Sequence, residues 1–199
     1  MERKFLSGGK IAGGNPKSGR VDNDFYATDP KSTKALLDIV KFEGNRFLEP
    51  CCGEGHIARV IKEYYPNADI TAIDIVDRGY GEGGIDFLTY NNEELFDNVI
   101  TNPPFVLAQD FIEHSYDLVR EGGKIAMFLK IQFLEGVGRK ALFDKGYLKY
   151  VYVFRARQSP WRDGSPVDFN GKKWASTFCF AWFIFEKGFK GEPIIRWID

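Results

Sequence analysis

The chain has 199 residues, of which 44% are hydrophobic and 28% charged, so it can bury the core of one globular domain. Its formal net charge of -1 gives no overall signal for nucleic-acid binding, and its longest apolar run, residues 178–185, is too short to cross a membrane. The three cysteines form neither an even set nor a CxxC pair, which argues against a disulfide framework and a zinc site. The start also lacks a signal-peptide pattern. From these features together we expect a cytoplasmic chain that binds no metal and enters no membrane.

The first 23 residues differ in composition from the rest of the chain. Residues 6–23 are rich in Gly, Ser, Asn and Lys and have no hydrophobic period, which is typical of a mobile segment. The basic side chains at the start of the chain are Arg3, Lys4, Lys10, Lys17 and Arg20. We therefore predict a mobile basic arm over residues 1–23 and a single domain over residues 24–199.

Helical and strand patterns alternate through the first two thirds of that domain. Helices are predicted from residue 30 onward and over 57–65, 107–119 and 139–145, and strands over 46–49, 70–76, 85–88, 98–101, 124–130, 147–154 and 176–185. This alternation indicates a doubly wound, mostly parallel α/β sheet with helices on both faces. The last two strands predict an antiparallel pair at one edge. The connection between them is too long for an ordinary loop and is a candidate functional segment.

The turn after the first strand has the form of a ligand-binding loop. Glu49 ends the strand, Pro50 and Cys51 follow it, and Gly53 and Gly55 let the backbone turn tightly and approach a ligand closely. The helix that follows offers free N–H groups to the same ligand. A simple strand–helix turn is the structural alternative, and we interpret Cys51 and the adjacent Cys52 as part of a pocket wall.

Acidic residues follow the next two strands. Asp74 comes 19 residues after Gly55 and is suited to accept hydrogen bonds from both hydroxyls of a ribose, although a helix cap is the alternative. Asp86 is suited to accept a hydrogen bond from an adenine amino group, with Phe87 or Ile75 covering the ring. Because ligands of open α/β sheets bind at the carboxyl ends of the strands, these residues together predict a nucleoside pocket.

The fourth strand runs into the sequence Asn102, Pro103, Pro104 and Phe105. An aromatic amine is a weak nucleophile because its lone pair is delocalised into the ring. Two acceptors aimed at its N–H bonds hold the nitrogen closer to tetrahedral geometry, and the Asn102 side-chain oxygen and the Pro103 carbonyl are suitable acceptors. The prolines stiffen the loop, and Phe105 is suited to stack on a base. We predict that these four residues are catalytic; the alternative is a proline-rich turn after a strand.

In this order the segments resemble the class I S-adenosylmethionine-dependent amino methyltransferases, and among them the N6-adenine group. EPCCGEG resembles the family's first motif, Asp74 its second, Asp86 its third and NPPF its catalytic fourth. The segment DFYAT, residues 24–28, resembles the motif that helps to hold the methionine end of the cofactor, which implies roles for Tyr26 and Thr28. The tail, over 180–183 and 192–194, resembles small phage and prophage DNA adenine methyltransferases.

The resemblance implies a Rossmann-like, seven-stranded, mostly parallel sheet with an antiparallel edge strand. It also implies S-adenosylmethionine as the cofactor and direct methyl transfer to the N6 amino group of an adenine that has left its DNA stack. The cofactor-binding residues that follow are Tyr26, Thr28, Glu49, Pro50, Cys51, Gly53, Gly55, Asp74, Ile75, Asp86 and Phe87.

Three alternatives remain open beside DNA adenine. The chain has no room for a separate target-recognition domain, and Phe105 stands where many DNA enzymes carry Tyr, so an RNA adenine or a protein glutamine methyltransferase is the enzyme alternative. The non-enzyme alternative is a nucleic-acid-binding module with a relic cofactor pocket. A cytosine-C5 enzyme is disfavoured, because it needs a nucleophilic Cys where this chain has Pro104.

The residues that contact nucleic acid are predicted in the long connection before the last strand. Five basic side chains there are suited to contact phosphates, and one aromatic is suited to act as a wedge or a stacker; they are Arg155, Arg157, Arg162, Lys172 and Lys173, and Trp161. Phe133, after the fifth strand, is predicted either to stack on the target base or to pack in the core. The histidines His56 and His114 are interpreted as structural or solvated.

Overall fold

A mostly parallel sheet forms the centre of the molecule. The computed structural model describes residues 25–199, and the predicted arm, residues 1–23, lies outside the described residues, as does Asp24. The strands are β1 (Tyr26–Ala27), β2 (Arg46–Glu49), β3 (Asp69–Asp74), β4 (Glu82–Gly83), β5 (Phe96–Thr101), β6 (Val119–Lys130), β7 (Leu148–Phe154), β8 (Trp161–Arg162), β9 (Phe180–Glu186) and β10 (Ile194–Ile198), and the helices are α1 (Pro30–Ile39), α2 (His56–Tyr64), α3 (Ala108–Leu118) and α4 (Lys140–Asp144).

Within residues 25–199, eight strands form the main sheet, in the order β10-β7-β9-β6-β5-β2-β3-β4. Neighbouring strands are parallel except around β9, which runs antiparallel to both β6 and β7. The expected α/β class with a mostly parallel sheet is therefore confirmed, with eight strands rather than seven.

Each long strand buries side chains on both faces of the sheet, so that neighbouring residues belong to different halves of the core. Val99 and Leu129 lie in the half that includes side chains of α3, whereas Ile100 and Phe128 lie in the half that includes side chains of α1 and α2. Trp182 is fully buried, and its indole nitrogen donates a hydrogen bond to a backbone carbonyl of α1 at 2.8 Å. The helices thus cover both faces, as the sequence predicts.

Residues 85–88 do not form the predicted strand. The Asp86 carboxylate accepts a hydrogen bond from the Leu88 backbone nitrogen at 3.0 Å, and a 3-10 turn follows over Phe87–Thr89. A carboxylate that bonds the backbone two residues ahead offers that backbone an alternative to the hydrogen bonds of a sheet. The edge of the sheet is formed instead by β4, a few residues earlier.

The other edge also differs from the expectation. The antiparallel strand β9 lies inside the sheet, because β7 and the parallel strand β10 lie beyond it. Strand β10 is absent from the sequence-based prediction; its sequence, IIRWI, does not alternate between apolar and polar residues, and four of its five residues are exposed. The last predicted strand also begins later than expected, at Phe180 rather than at residue 176.

A second, two-stranded sheet connects distant parts of the chain. Strand β1 pairs antiparallel with β8, and the Asp163 backbone nitrogen donates to the Phe25 carbonyl at 2.9 Å. This pairing ties the segment before α1 to the long connection between β7 and β9. Among the helices of residues 25–199, none has the length and apolar character that a membrane crossing needs.

Candidate active site

A cavity of about 490 Å³ opens where β2, β3 and β5 end. Its walls also include β1 and part of the long connection between β7 and β9. The predicted site residues that line it are Tyr26, Thr28, Glu49, Pro50, Cys51, Asp74, Ile75, Asp86, Phe87, Asn102, Pro103, Pro104, Phe105 and Arg162. The structure therefore brings most of the predicted cofactor-binding residues and all four predicted catalytic residues to one cavity.

The glycines of the loop after β2 shape the cavity without lining it. Gly53 and Gly55 adopt φ angles of 53° and 79°, in the left-handed region that favours glycine. A Cβ atom on Gly53 would lie 2.2 Å from the Phe25 ring, and one on Gly55 would lie 2.6 Å from the Tyr80 ring. Both glycines therefore allow an aromatic ring to pack directly against the loop.

Glu49 stabilises the start of α2 from the end of β2. The cap position of this helix is a glycine, which has no side chain to offer, and the Glu49 carboxylate instead accepts a hydrogen bond from the Ala58 backbone nitrogen at 2.8 Å. Burial raises the pKa of Glu49 well above its ordinary value; the Ala58 N–H opposes this rise and the nearby Asp74 adds to it.

Asp74 connects the glycine loop to β3. Its carboxylate accepts hydrogen bonds from the backbone nitrogens of Gly53 and Val76 at 2.8 and 2.9 Å, and from the Arg78 guanidinium at 3.1 Å. A carboxylate has about four acceptor sites, so this group can accept a further donor from the cavity. Asp86, which also lines the cavity, accepts one backbone hydrogen bond.

A backbone carbonyl holds the Asn102 side chain in place. Its amide nitrogen donates a hydrogen bond to the Tyr26 carbonyl at 3.1 Å. The next residue, Pro103, is buried, and the Phe105 ring lies 5.9 Å from the Phe180 ring and 4.7 Å from the Lys130 ammonium. The loop after β5 thus presents an amide oxygen and an aromatic ring at the same cavity.

Sequence reasoning missed His56 as a site residue. It lines the cavity, and its ring contacts Phe25 at 6.2 Å and Trp161 at 5.6 Å between centroids. Burial lowers the pKa of this imidazole, which favours the neutral form. Its position directly after Gly55, at the first turn of α2, is the signal that could have indicated a place beside a ligand.

Most of the other missed cavity residues lie far from the motifs in sequence. They are contributed by the start of the described chain, by the end of β6 and by the last part of the long connection; examples are Phe25, Lys130, Trp174 and Phe178. The Lys130 ammonium lies 3.8 Å from the centroid of the Phe178 ring. Of these four, Phe25 lies in the DFYAT motif, whereas the other three belong to no motif and are brought to the cavity by the folded chain alone.

The predicted nucleic-acid contacts are dispersed. Arg162 lines the cavity, whereas Arg155 forms an ion pair with Asp199 at 2.8 Å and Arg157 donates to the Thr177 carbonyl at 2.9 Å. Lys172 and Lys173 are exposed and lie outside the cavity wall.

The two aromatic side chains predicted to contact a base differ in their packing. Of the two roles left open for Phe133, the structure shows core packing: the ring is 6% exposed and contacts Phe143 and Phe183. Trp161 lies in β8 and is half-buried, with its ring in edge contact with His56.

The two cysteines beside the cavity are held as thiols. Burial raises the pKa of Cys51 well above its ordinary value, and it raises the pKa of Cys52 to about 12. Neither is therefore activated as a nucleophile, in line with their interpretation as pocket wall. In the described part of the chain, no group of three or more His, Cys, Asp or Glu side chains is arranged to hold a metal ion.

The fold around this cavity is similar to that of solved methyltransferase structures. The structure matches the methyltransferase subunit of a type I restriction–modification system from Streptococcus thermophilus with a TM-score of 0.60, at 16% identity, over 83% of this chain and 45% of that one. It matches an S-adenosylmethionine-dependent O-methyltransferase from Thermotoga maritima with a TM-score of 0.58, at 13% identity, over 84% of this chain and 69% of that one. These likenesses confirm the fold.

In sequence the chain is similar to the type II methyltransferase M.CvrRI of Paramecium bursaria Chlorella virus XZ-6E. The two are 27% identical over 146 residues, which cover 68% of this chain. The chain spans 37% of the length of that curated relative. No protein-family model matches the chain. The resemblance that the motifs predict is thus confirmed at the level of S-adenosylmethionine-dependent methyltransferases.

Proposed function

We propose that this chain transfers a methyl group from S-adenosylmethionine to the N6 amino group of adenine in DNA. The observation that carries the proposal is the anchored amide of Asn102, which lines the same cavity as the carboxylates of Asp74 and Asp86. The likeness to a type II methyltransferase and to a subunit of a type I restriction–modification system supports DNA as the substrate.

The cavity fits the proposed cofactor in its polar groups. Asp74 and Asp86 offer acceptors for the hydroxyls and the amino group of a nucleoside, and the half-exposed Ile75 offers an apolar surface for its ring. Within residues 25–199, two buried atoms of this wall have no hydrogen-bond partner: Thr28 Oγ1 and His56 Nδ1. Buried polar atoms without partners cost free energy, so both are suited to bond the polar methionine end of the cofactor.

The residues of the loop after β5 orient the target base. Because the Asn102 nitrogen is held by the Tyr26 carbonyl, its Oδ1 is left to accept a hydrogen bond from an N6 hydrogen. The Pro103 carbonyl is the second acceptor, and the Phe105 ring stacks on the purine. Two acceptors draw the amine away from planarity and free its lone pair for attack.

The cofactor supplies an electrophilic methyl group on a positively charged sulfur. The protein contributes alignment: it holds the N6 nitrogen at the wall formed by Asn102. The methylated nitrogen is positively charged and acidic and releases its proton to water after transfer, so no side chain is needed as a strong base. The one histidine of the cavity wall is a weak base, because burial lowers the pKa of its imidazole.

A methyl-transfer assay with radiolabelled S-adenosylmethionine tests the proposal. Matched pools of DNA, RNA and protein are offered to the wild-type chain and to the Asn102→Ala variant. We expect label in DNA with the wild type and none above background with the variant. Label in RNA or protein alone would support the corresponding alternative enzyme, and cofactor binding without any transfer would support a binding module with a relic pocket.

A further inference from the structure

The long connection between β7 and β9 contains a small ordered hairpin, which we call the finger (residues 165–174). Its two sides meet at a bridge between Val167 and Lys173. Its base is closed by the Trp174 indole, which donates to the Ser165 carbonyl at 2.8 Å. Because Trp174 and the preceding Arg162 both line the cavity, the base of the finger lies beside the cavity.

The tip of the finger is held by one carboxylate. Asp168 Oδ1 accepts hydrogen bonds from the backbone nitrogens of Asn170 and Lys172, each at 2.9 Å. Two backbone hydrogen bonds, from Asp168 to the Lys172 carbonyl and from Gly171 to the Asp168 carbonyl, close the same turn at 2.8 and 2.9 Å. The tip is therefore a defined structure and can hold a side chain in a fixed direction.

That structure presents an apolar ring to solvent. Phe169 is 96% exposed, although a phenylalanine is normally among the most buried side chains. Lys172 and Lys173 beside it are also exposed, and the nearest acid, Asp168, is engaged with backbone nitrogens. The tip thus combines one unburied aromatic ring with two cations.

We propose that the finger is a wedge for duplex DNA, with Phe169 inserted into the base stack beside the target adenine. An enzyme that modifies a base inside a duplex must first take that base out of the stack, which costs stacking and pairing energy. An apolar ring that enters the gap restores part of that stacking, and cations beside it bind the flanking phosphates. Lys172 and Lys173 are the phosphate-binding groups. The inference rests on the proposed DNA substrate, and it replaces Trp161 as the wedge.

The test uses DNA duplexes that carry 2-aminopurine beside adenines in varied sequence contexts, because the fluorescence of this base rises when it is unstacked. The wild-type chain should raise the fluorescence on binding. Phe169→Ala should bind the duplex on the order of tenfold more weakly, with no rise, while single-stranded DNA is methylated at the wild-type rate. Phe169→Trp should restore both the binding and the rise.

The matched control is Leu95→Ala, which removes another exposed apolar side chain. Leu95 is 47% exposed and precedes β5, so it lies at the end of the sheet away from the cavity. If Phe169→Ala and Leu95→Ala bind the duplex equally well, the wedge is wrong. The wedge is also wrong if Phe169→Ala lowers the methylation of single-stranded DNA as much as it weakens duplex binding. It is wrong too if the effect of the substitution appears on RNA helices alone.

A salt titration tests the cations separately. In a plot of the logarithm of the binding constant against the logarithm of the salt concentration, the slope should become shallower in the double variant Lys172→Ala with Lys173→Ala. The expected change is about 0.9 for each phosphate that the variant no longer neutralises. An unchanged slope would remove both lysines from the proposal.

These binding readouts do not require methyl transfer, so the finger and the proposed activity can fail separately. A wild-type chain that binds duplexes through Phe169 but methylates no adenine would refute the proposed activity and leave the finger standing. A chain that methylates duplex adenine equally well with and without the Phe169 ring would refute the finger and leave the activity standing.

Discussion

The side-chain nitrogen of Asn102 donates a hydrogen bond to the backbone carbonyl of Tyr26 at 3.1 Å. This contact joins the loop after β5 to β1, which is itself paired with β8. Because a backbone carbonyl can only accept, the amide is held with its oxygen away from Tyr26. Three segments that are distant in the chain thus fix the direction of one oxygen atom in the cavity.

The anchor predicts different outcomes for two substitutions at Asn102. Asn102→Ala removes the acceptor and should lower the transfer rate by roughly two to three orders of magnitude. In Asn102→Asp a carboxylate cannot donate to the Tyr26 carbonyl and is repelled by it, so the transfer rate should fall. Because this variant keeps an oxygen acceptor, its rate should fall by less than that of Asn102→Ala. Single-turnover kinetics measure the rates, and calorimetry should give near wild-type cofactor affinity for both.

Asn91→Ala is the matched control, since this exposed asparagine bonds a local carbonyl. It should transfer at the wild-type rate. Wild-type transfer by Asn102→Asp would show that the hydrogen bond to Tyr26 is dispensable for orientation.

Asp74 should determine cofactor affinity. Asp74→Ala removes the carboxylate that holds the Gly53 nitrogen and that we propose binds the ribose. Hydrogen bonds to charged groups contribute about 1.5–3 kcal/mol each, so affinity should fall on the order of tenfold to a hundredfold. Asp69→Ala, at the exposed start of the same strand, is the control and should bind normally. Equal affinities for the two variants, measured by calorimetry, would exclude the role.

The Phe25 ring packed on Gly53 should make Gly53→Ala lose folding stability beyond the loss that backbone strain causes. Gly53→Ala places a Cβ atom 2.2 Å from the Phe25 ring at a φ of +53°. Gly84→Ala meets a similar φ of +78° but open space. Both should lose about 1–2 kcal/mol of stability from the left-handed conformation, and Gly53→Ala should lose more and should weaken cofactor binding. Denaturant unfolding compares them; identical losses would mean that Phe25 moves aside freely.

Glu49 should make folding stability depend on pH. Its pKa in the folded chain is raised above the ordinary value of 4.5, mainly by burial, so the folded state binds a proton that the unfolded state releases. The stability that this proton contributes is present below pH 4.5 and is lost as the pH rises through the folded pKa. Glu49→Gln should lack this loss of stability with rising pH. In this window the wild type should therefore lose up to about 1.4 kcal/mol of folding stability per pH unit relative to the variant.

Thermal unfolding between about pH 5 and 8 measures this difference, with Glu43→Gln, an exposed carboxyl, as the control. The stability of Glu49→Gln relative to the wild type should increase with pH, whereas that of Glu43→Gln should stay level. Parallel profiles for all three chains would mean that Glu49 is ionised in the folded state.

Local sequence was sufficient for the loops that follow the strands. The glycine loop, Asp74 and the four residues from Asn102 were all predicted to face one ligand, because the carboxyl ends of parallel strands meet at one edge. The structure brings them to one cavity. These predictions rest on residues that the few neighbouring positions in the sequence are enough to place, either in a turn or at the end of a strand.

Long-range pairing could not be predicted in the same way. The two residues of β8 find their partner, β1, more than a hundred residues earlier, and nothing in either short segment specifies the other. Strand β10 is largely exposed and has no alternating pattern to detect. In the sequence nothing distinguishes Phe169 from other loop residues. Its exposure follows from the turn that the hydrogen bonds to Asp168 close.

The most direct test of the central claim is the chemical identity of the methylated nucleoside. DNA labelled by the wild-type chain is digested to nucleosides and separated by chromatography. The account predicts that the label elutes with N6-methyldeoxyadenosine, and that DNA in which purine replaces adenine, so that the N6 amino group is missing, takes up none. Label on a cytosine carbon, or equal labelling of the DNA that lacks the amino group, would contradict it.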